Sequence, residues 1–230
     1  MKIDQLIGSV LSFLVFSSVA SAEMLTLDSK VGLSTSLGTS TVAITPHPLW
    51  QPNNPLNPGD PTDNSAIWIS FADTGFGGSQ FQPFEGTTPV GSIYQSFVSD
   101  AGFLTLNVWA DDSADVLLDG SYLAHAAFTQ SICSGQSIGC RPQDDGVFNV
   151  QIGAGSHVLE FVLYQVGTGT DSTSNPFGLL YTGTAPKGPT GHSDLNPLPE
   201  PVPEPGSASL LVVGSILLCA GAIKKSKRSS

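Results

Sequence analysis

Hydrophobic and polar residues alternate with a period of two along much of the middle of the chain. Leu104, Leu106 and Val108 alternate with Thr105 and Asn107, a pattern typical of a β-strand with one buried face. Comparable runs predict further strands at 24–31, 41–45, 66–72, 92–98, 115–118, 146–152, 157–166 and 178–182. No long segment has the 3.6-residue apolar spacing of an amphipathic helix. The pattern therefore predicts an all-β domain.

Turn residues divide these strands into short pieces. The 230 residues include 25 Gly and 17 Pro, and only 12% are charged. Many short strands with such turns favour an antiparallel β-sandwich or jelly roll, which we assign to residues 23–185. Gly153-Ala154-Gly155 is expected to join two neighbouring strands as a hairpin, and Asp119-Gly120 is expected to form a hairpin turn. The Pro-rich and Asn-rich stretch 45–63 is expected to be an ordered surface loop.

The N-terminus has the pattern of an export signal. Lys2 precedes an apolar run at 6–19, and Ala20-Ser21-Ala22 supplies small residues at an A-x-A cleavage site. The apolar run is short for a membrane span, which needs about 20 residues. We therefore predict a secretory signal peptide over residues 1–22, with an uncleaved anchor as the alternative.

The C-terminus predicts a membrane segment. A Pro-rich linker at 186–205 leads into an uncharged stretch at 206–223, and a basic tail at 224–230 follows. Eighteen helical residues span about 27 Å, close to the roughly 30 Å hydrocarbon core of a bilayer. Because clustered basic residues prefer the cytoplasmic side, we expect a transmembrane helix with its tail inside and the domain outside.

The last residues resemble a known sorting signal. Pro203-Glu204-Pro205, a short hydrophobic span and a basic cluster occur in the order of the PEP-CTERM signal of Gram-negative bacteria. The resemblance implies recognition by an exosortase, a membrane cysteine peptidase, and association with extracellular polysaccharide. It also implies export through the inner membrane to the cell surface or the medium, with the C-terminal helix in the membrane before processing. An ordinary membrane anchor is the alternative.

Charge excludes one class of partner. The whole chain has 8 basic and 19 acidic residues, a formal net charge of -11. Residues 23–205 keep three cations and eighteen acids, so 3 minus 18 gives -15 for the exported part. Nucleic acids need clustered Lys and Arg, so they are not expected partners. Such a surface favours solubility and divalent cations.

Two cysteines fit an oxidising compartment. Cys133 and Cys140 lie in the exported part, and a disulfide between them would close a short loop. No further Cys or His spacing completes a zinc site. We therefore predict a Cys133–Cys140 disulfide.

The densest acidic segment follows a predicted strand. Asp111, Asp112 and Asp119 could gather the hard oxygen ligands that Ca²⁺ prefers, although Asp and Gly also occur at turns for backbone reasons. The stretches FLTLNVWADDSADVLLDG, HVLEFVLYQVG and FGLLY resemble galactose-binding-like jelly rolls and protective-antigen-type lectin domains. That resemblance implies a calcium and sugar site at the Asp111–Asp112 pair. Asp119 lies where many members of these families have Asn or Asp before a Gly. Calcium is the one cofactor that the sequence suggests.

Aromatic residues give a second candidate for sugar binding. Trp50 and Trp68 are expected mainly as core or edge aromatics, and Trp50 is also a candidate sugar platform beside Asp111 and Asp112. Sugar binding and a purely structural aspartate segment both stay open.

Catalytic patterns are weak. Gly135-Gln136-Ser137-Ile138-Gly139 matches the nucleophile elbow of serine hydrolases, but no helical pattern follows it. His125 and His157 would approach Ser137 only through the fold. Asp112 with Glu160 would be a glycosidase pair only if the two acids lay about 5–9 Å apart.

These patterns together predict a non-enzymatic exported protein, displayed at or released from the cell surface and associated with extracellular polysaccharide. A calcium-dependent carbohydrate-binding module is the alternative, and a cell-surface hydrolase is the third hypothesis.

Overall fold

The protein is described by a computed structural model that covers residues 23–56, 65–84, 86–128 and 138–188. Its described part contains eleven strands and no helix. The strands are β1 (Met24–Asp28), β2 (Ser34–Thr35), β3 (Val42–Ala43), β4 (Ile69–Ser70), β5 (Pro89–Ser99), β6 (Gly102–Asp111), β7 (Ser113–Leu118), β8 (Ser121–Ala124), β9 (Gly146–Ile152), β10 (Gly155–Tyr164) and β11 (Gly178–Pro186). The described residues contain no helix that is long and apolar enough to cross a membrane. The predicted signal peptide, linker, transmembrane helix and basic tail lie outside the described residues, apart from the start of the linker.

The strands form two antiparallel sheets. The first sheet has the order β3-β4-β11-β6-β9, and β1 also pairs with β11. The second sheet has the order β2-β5-β10-β7-β8. Every strand pair is antiparallel. The predicted all-β sandwich is confirmed.

Alternate residues of both sheets build one hydrophobic core between them. Phe161 of β10 stacks on Tyr181 of β11 with ring centroids 4.4 Å apart, and the Tyr181 hydroxyl donates to Gln95 Oε1 of β5 over 2.8 Å. The fully buried members of this core include Ile69, Ile93, Leu104, Leu106, Val108, Val116, Leu159, Leu163 and Leu179. Their period of two matches the alternation that predicted the strands, since a strand turns successive side chains to opposite faces.

A second hydrophobic cluster lies on the outer face of the first sheet. Trp109 and Leu180, which are paired neighbours on β6 and β11, point away from the main core. The loop between β3 and β4 folds over them. The buried cluster consists of Ile44, Trp50, Ala66, Trp68, Trp109, Cys140 and Leu180. We call it the tryptophan cluster.

One predicted connection is wrong, and two strands of the structure had no counterpart in the prediction. The hairpin expected at Gly153-Ala154-Gly155 is wrong, because β9 pairs with β6 in the first sheet and β10 pairs with β5 and β7 in the second. The chain crosses between sheets there, and local turn residues do not specify the partner of a strand. The strands β2 and β8 were not predicted, since both are short and lack a clear alternation. The turn at Asp119-Gly120 does join β7 to β8, with φ of 51° and 76° as a two-residue hairpin of this type requires.

Candidate functional site

The aspartate pair lies where the chain passes from one sheet to the other. Asp111 ends β6 in the first sheet, and β7 of the second sheet begins directly after Asp112. The Trp50 indole nitrogen donates to Asp111 Oδ2 over 2.6 Å, and the Val166 amide donates to Asp112 Oδ2 over 2.8 Å. Both carboxyl groups are buried. The pair therefore connects the β3–β4 loop, the sheet crossing and the chain beyond β10.

Burial changes the protonation of this pair. Desolvation raises the pKa of Asp111 well above its usual value, and the neighbouring Asp112 carboxylate adds to the rise through its charge and a hydrogen bond. Desolvation also raises the pKa of Asp112, against the hydrogen bonds from Asp111 and the Val166 amide. Two adjacent carboxylates in a buried place favour retention of a proton, which is the direction of both shifts. The buried position of the pair therefore favours a state in which the two carboxyl groups keep a proton.

Asp115 fixes the segment that follows β8. The Tyr164 hydroxyl donates to Asp115 Oδ2 over 2.7 Å, and the Ala126 amide donates to Oδ1 over 2.7 Å. The Ala127 amide donates to the Ser113 hydroxyl oxygen over 2.8 Å. Burial and the Asp115 carboxylate raise the pKa of the Tyr164 phenol. These contacts hold residues 125–127 against the edge of the second sheet.

The third predicted metal ligand lies elsewhere. Asp119 occupies the β7–β8 turn, where its carboxylate accepts a hydrogen bond from the Val158 amide over 2.8 Å and lies 2.7 Å from His157 Nδ1. The six residues of β7 lie between it and Asp112, so the two are seven residues apart along an extended chain, about 23 Å at 3.3 Å per residue. Within the described ranges, no three His, Cys, Asp or Glu side chains are grouped so that they could hold a metal ion. The structure does not bring the predicted calcium ligands Asp111, Asp112 and Asp119 together.

Trp50 is not presented to solvent. Its side chain is 3% exposed and packs on Trp68 with ring centroids 4.2 Å apart. The Trp68 indole in turn donates to the Gln51 carbonyl over 2.7 Å. The structure places this candidate sugar platform inside the tryptophan cluster, with its polar edge bonded to Asp111. The burial of Trp50 agrees with the expectation of a core aromatic, whereas no sequence pattern indicates its hydrogen bond to Asp111.

The remaining candidates are dispersed. Glu160 pairs with Leu117, five residues along β7 from Asp112, so the two acids are about 16 Å apart and too distant for a glycosidase pair. His125 contacts Tyr122, whereas His157 contacts Asp119. Cys140 is disulfide-bonded, and its predicted partner Cys133 lies outside the described residues. Ser137 and the sorting motif Pro203, Glu204 and Pro205 lie outside them as well.

Outward side chains of the second sheet form a row that sequence reasoning missed. Tyr94 of β5 faces Glu160 of β10, Glu160 faces Leu117 of β7, and Leu117 faces Tyr122 of β8. Each has a sequence neighbour that belongs to the core or packs against it, so all four side chains lie on the opposite face of the sheet. The neighbours are Ile93, Phe161, Val116 and Leu123. The Tyr122 side chain is 55% exposed and lies against the His125 ring at 4.1 Å. We call these five residues the open row.

The open row places aromatic rings beside groups that form hydrogen bonds. A tyrosine combines an apolar ring with a polar tip, so it can pack on a ligand and also bond to it. Glu160 adds a carboxylate between the two tyrosines, and the His125 side chain is 72% exposed at the end of the row. Alternation around Tyr94 and Glu160 could have indicated their outward direction. Tyr122 gave no such signal, because β8 was not predicted.

The described fold is therefore an all-β sandwich. The tryptophan cluster covers part of the outer face of the first sheet, which we call the covered face, and Tyr122 is exposed on the outer face of the second sheet, which we call the open face. No family model and no curated protein matches the chain. Among solved structures it is similar to a native family 35 carbohydrate binding module from Clostridium thermocellum, with 8% identity, a TM-score of 0.35 and coverage of 71% of this chain and 98% of that one.

Two further solved structures have a comparable level of similarity. A GH26-CBM35 β-(1,4)-mannanase from Podospora anserina has 12% identity and a TM-score of 0.35, covering 77% of this chain and 31% of that one. Another family 35 module from Clostridium thermocellum has 13% identity and a TM-score of 0.29, covering 68% of this chain and 98% of that one.

Proposed function

We propose that this chain is an exported, non-catalytic protein whose β-sandwich binds carbohydrate outside the cell. The observation that carries the proposal is the open row, in which Tyr94 and Tyr122 flank Glu160 on an outward sheet face. Sugars present both C–H faces, which pack on aromatic rings, and hydroxyl groups, which bond to carboxylates and phenols. A rigid sheet holds such side chains at fixed spacing, which reduces the entropy lost on binding.

The arrangement of acids and bases supports binding rather than catalysis. The buried aspartate pair is engaged by Trp50 and Val166, and Glu160 lies about 16 Å from Asp112. General acid and base groups need to reach the same substrate bond. Asp112 and Glu160 do not converge in this way, and the adjacent Asp111 and Asp112 are buried and bonded to Trp50 and Val166, so we assign these carboxylates structural and binding roles.

Export belongs to the proposal and rests on the two ends of the chain. The predicted signal peptide at 1–22 and the sequence pattern from Pro203 to the basic cluster support secretion with sorting by an exosortase-type enzyme. The test is the double substitution Pro203→Ala and Glu204→Ala, followed by cell fractionation. Loss of processing is expected. Unchanged processing and location would instead indicate an ordinary membrane anchor.

Carbohydrate binding is tested with the purified full chain on a glycan array, in a detergent without a sugar headgroup. One array is run in millimolar calcium and one in chelator. Because the three predicted calcium ligands are not grouped, equal binding in both buffers is expected. Absence of binding to every glycan would contradict the proposed function, whereas binding only in calcium would restore the calcium-dependent alternative.

A further inference from the structure

We infer that the open row binds a glycan chain that carries no anionic groups and lies across the strands of the second sheet. This inference rests on the proposed function and specifies its site and its ligand class. It goes beyond the aspartate segment and Trp50, which the sequence suggested as sugar-binding positions.

The direction of the ligand follows from the register. Tyr94, Glu160, Leu117 and Tyr122 are successive partners on four adjacent strands. Neighbouring strands are about 4.8 Å apart, so the Cα atoms of the two tyrosines are about 14 Å apart, the length of a few sugar residues. A chain that contacts both rings must therefore cross the strands rather than follow one of them.

The members of the row differ in exposure, since Tyr94 and Glu160 are half-buried. Leu117 is 7% exposed, whereas Tyr122 projects from the edge strand at 55% exposure. Beside Tyr122, the His125 ring lies at 4.1 Å, and its Nδ1 is 3.7 Å from Asp115 Oδ1. Asp115 is itself fixed by the Tyr164 hydroxyl. This end of the row is thus a supported aromatic surface rather than a single projecting side chain.

The charge of the sheet defines the ligand class. The five strands of the second sheet contain no Lys or Arg, but they contain Asp115 and Glu160. The cations among the described residues belong to other segments: Lys30 follows β1, Arg141 precedes β9, and Lys187 pairs with Glu23 at 2.6 Å. An anionic polysaccharide would meet repulsion without a compensating cation, so a neutral chain fits the row better.

The test is affinity gel electrophoresis of the full chain and its variants. The probes are the neutral polymers dextran, hydroxyethyl cellulose and galactomannan, and the anionic polymers alginate and polygalacturonate. We expect retardation by at least one neutral polymer and by neither anionic polymer. Tyr122→Ala should weaken that binding about tenfold, equivalent to 1.4 kcal/mol. Tyr122→Phe keeps the ring and should retain most of the affinity.

Phe103→Ala is the matched control. Phe103 is 56% exposed on the first sheet, so the substitution removes a similar exposed aromatic ring at a position away from the open row. The affinity of the Phe103→Ala variant for the neutral polymer should stay within about twofold of that of the parent chain. Thermal unfolding of each variant separates loss of binding from loss of the fold.

The outcomes distinguish the inference from the proposed function. Neutral-glycan binding that Tyr122→Ala and Tyr94→Ala leave unchanged would overturn the inference and keep the function. Binding to anionic polymers alone would overturn the ligand class. No binding to any polymer or array glycan would overturn both. Sedimentation showing that Tyr122→Ala dissociates a dimer would assign the row to self-association and also overturn the inference.

Discussion

The outer faces of the two sheets use aromatic residues in opposite ways. On the first sheet, the β3–β4 loop covers Trp109 and Leu180 and buries Trp50 and Trp68 with them. On the second sheet, no comparable tryptophan cluster forms among the described residues, and Tyr122 stays exposed. Tryptophan side chains stabilise the covered face, while the Tyr122 ring stays accessible on the open face. Whether an aromatic side chain is buried or exposed on these outer faces therefore depends on the presence of a covering loop more than on the type of aromatic residue.

The sharpest test of the covered face is Trp68→Ala. Trp68 is fully buried, packs on Trp50 and bonds to the Gln51 carbonyl. Removing a buried aromatic ring typically destabilises a protein by about 3–5 kcal/mol, so we expect a loss of that size in the free energy of unfolding. Chemical denaturation measures it. The control Phe103→Ala should change stability by no more than about 0.5 kcal/mol, and an equally small effect of Trp68→Ala would contradict the structural role.

The covered face also shows what the sequence could predict. Strand β9 has the bounds that alternation indicated, and the inward residues of β6 were identified correctly. Alternation reports which residues share a face, because the period of a strand is two. It does not report whether a distant loop covers that face. The burial of Trp50 and its bond to Asp111, 61 residues away, therefore needed the structure.

The same limit explains the candidate site. Asp111, Asp112 and Asp119 are close in sequence, yet the extended strand β7 separates the pair from Asp119. Tyr94 and Tyr122 are 28 positions apart in the chain and belong to one row because β10 and β7 lie between their strands. The sequence pattern does not show which distant strands pair with each other. The same missing information explains the wrong hairpin at Gly153.

Breaking the disulfide tests a second part of the covered face. Cys140 is buried in the tryptophan cluster. If its partner is Cys133, the bridge closes about eight residues and stabilises the fold by roughly 2.5 kcal/mol in the chain-entropy model. Cys140→Ser should lower the free energy of unfolding by about this amount. Reductant should lower the stability of the parent chain but not of the variant, and a further loss in the variant would contradict the assignment.

The aspartate pair makes the stability of the covered face depend on pH. The folded pKa of Asp111 is raised by burial and by Asp112, so its contribution is fully present below the unfolded value and is lost as pH rises through the folded value. Asp111→Asn keeps an oxygen that can accept the Trp50 hydrogen bond and carries no charge. We expect the variant to lose less stability than the parent chain as pH rises from 4 to 8.

Thermal unfolding across this pH range measures the difference. Asp100→Asn, at an exposed position after β5, is the matched control and should follow the parent chain. A difference of about 1–3 kcal/mol between Asp111→Asn and the control at the alkaline end would be in the usual range for a buried polar group. Parallel curves for the parent chain and Asp111→Asn would show that the pair is not protonated in the way the geometry indicates.

The smallest change in stability is expected on the open face, from Glu160→Gln. The Glu160 side chain points away from the core and is only half-buried, so the free energy of unfolding should change by no more than about 0.5 kcal/mol. Glutamine has nearly the same shape and still accepts and donates hydrogen bonds, but it removes the central negative charge of the open row. Neutral-glycan affinity should therefore change little, while the exclusion of alginate should weaken in the same gel assay. If Glu160→Gln instead destabilised the domain by as much as Trp68→Ala, the two faces would not differ in the way proposed, because the open face would then hold the fold together as the covered face does.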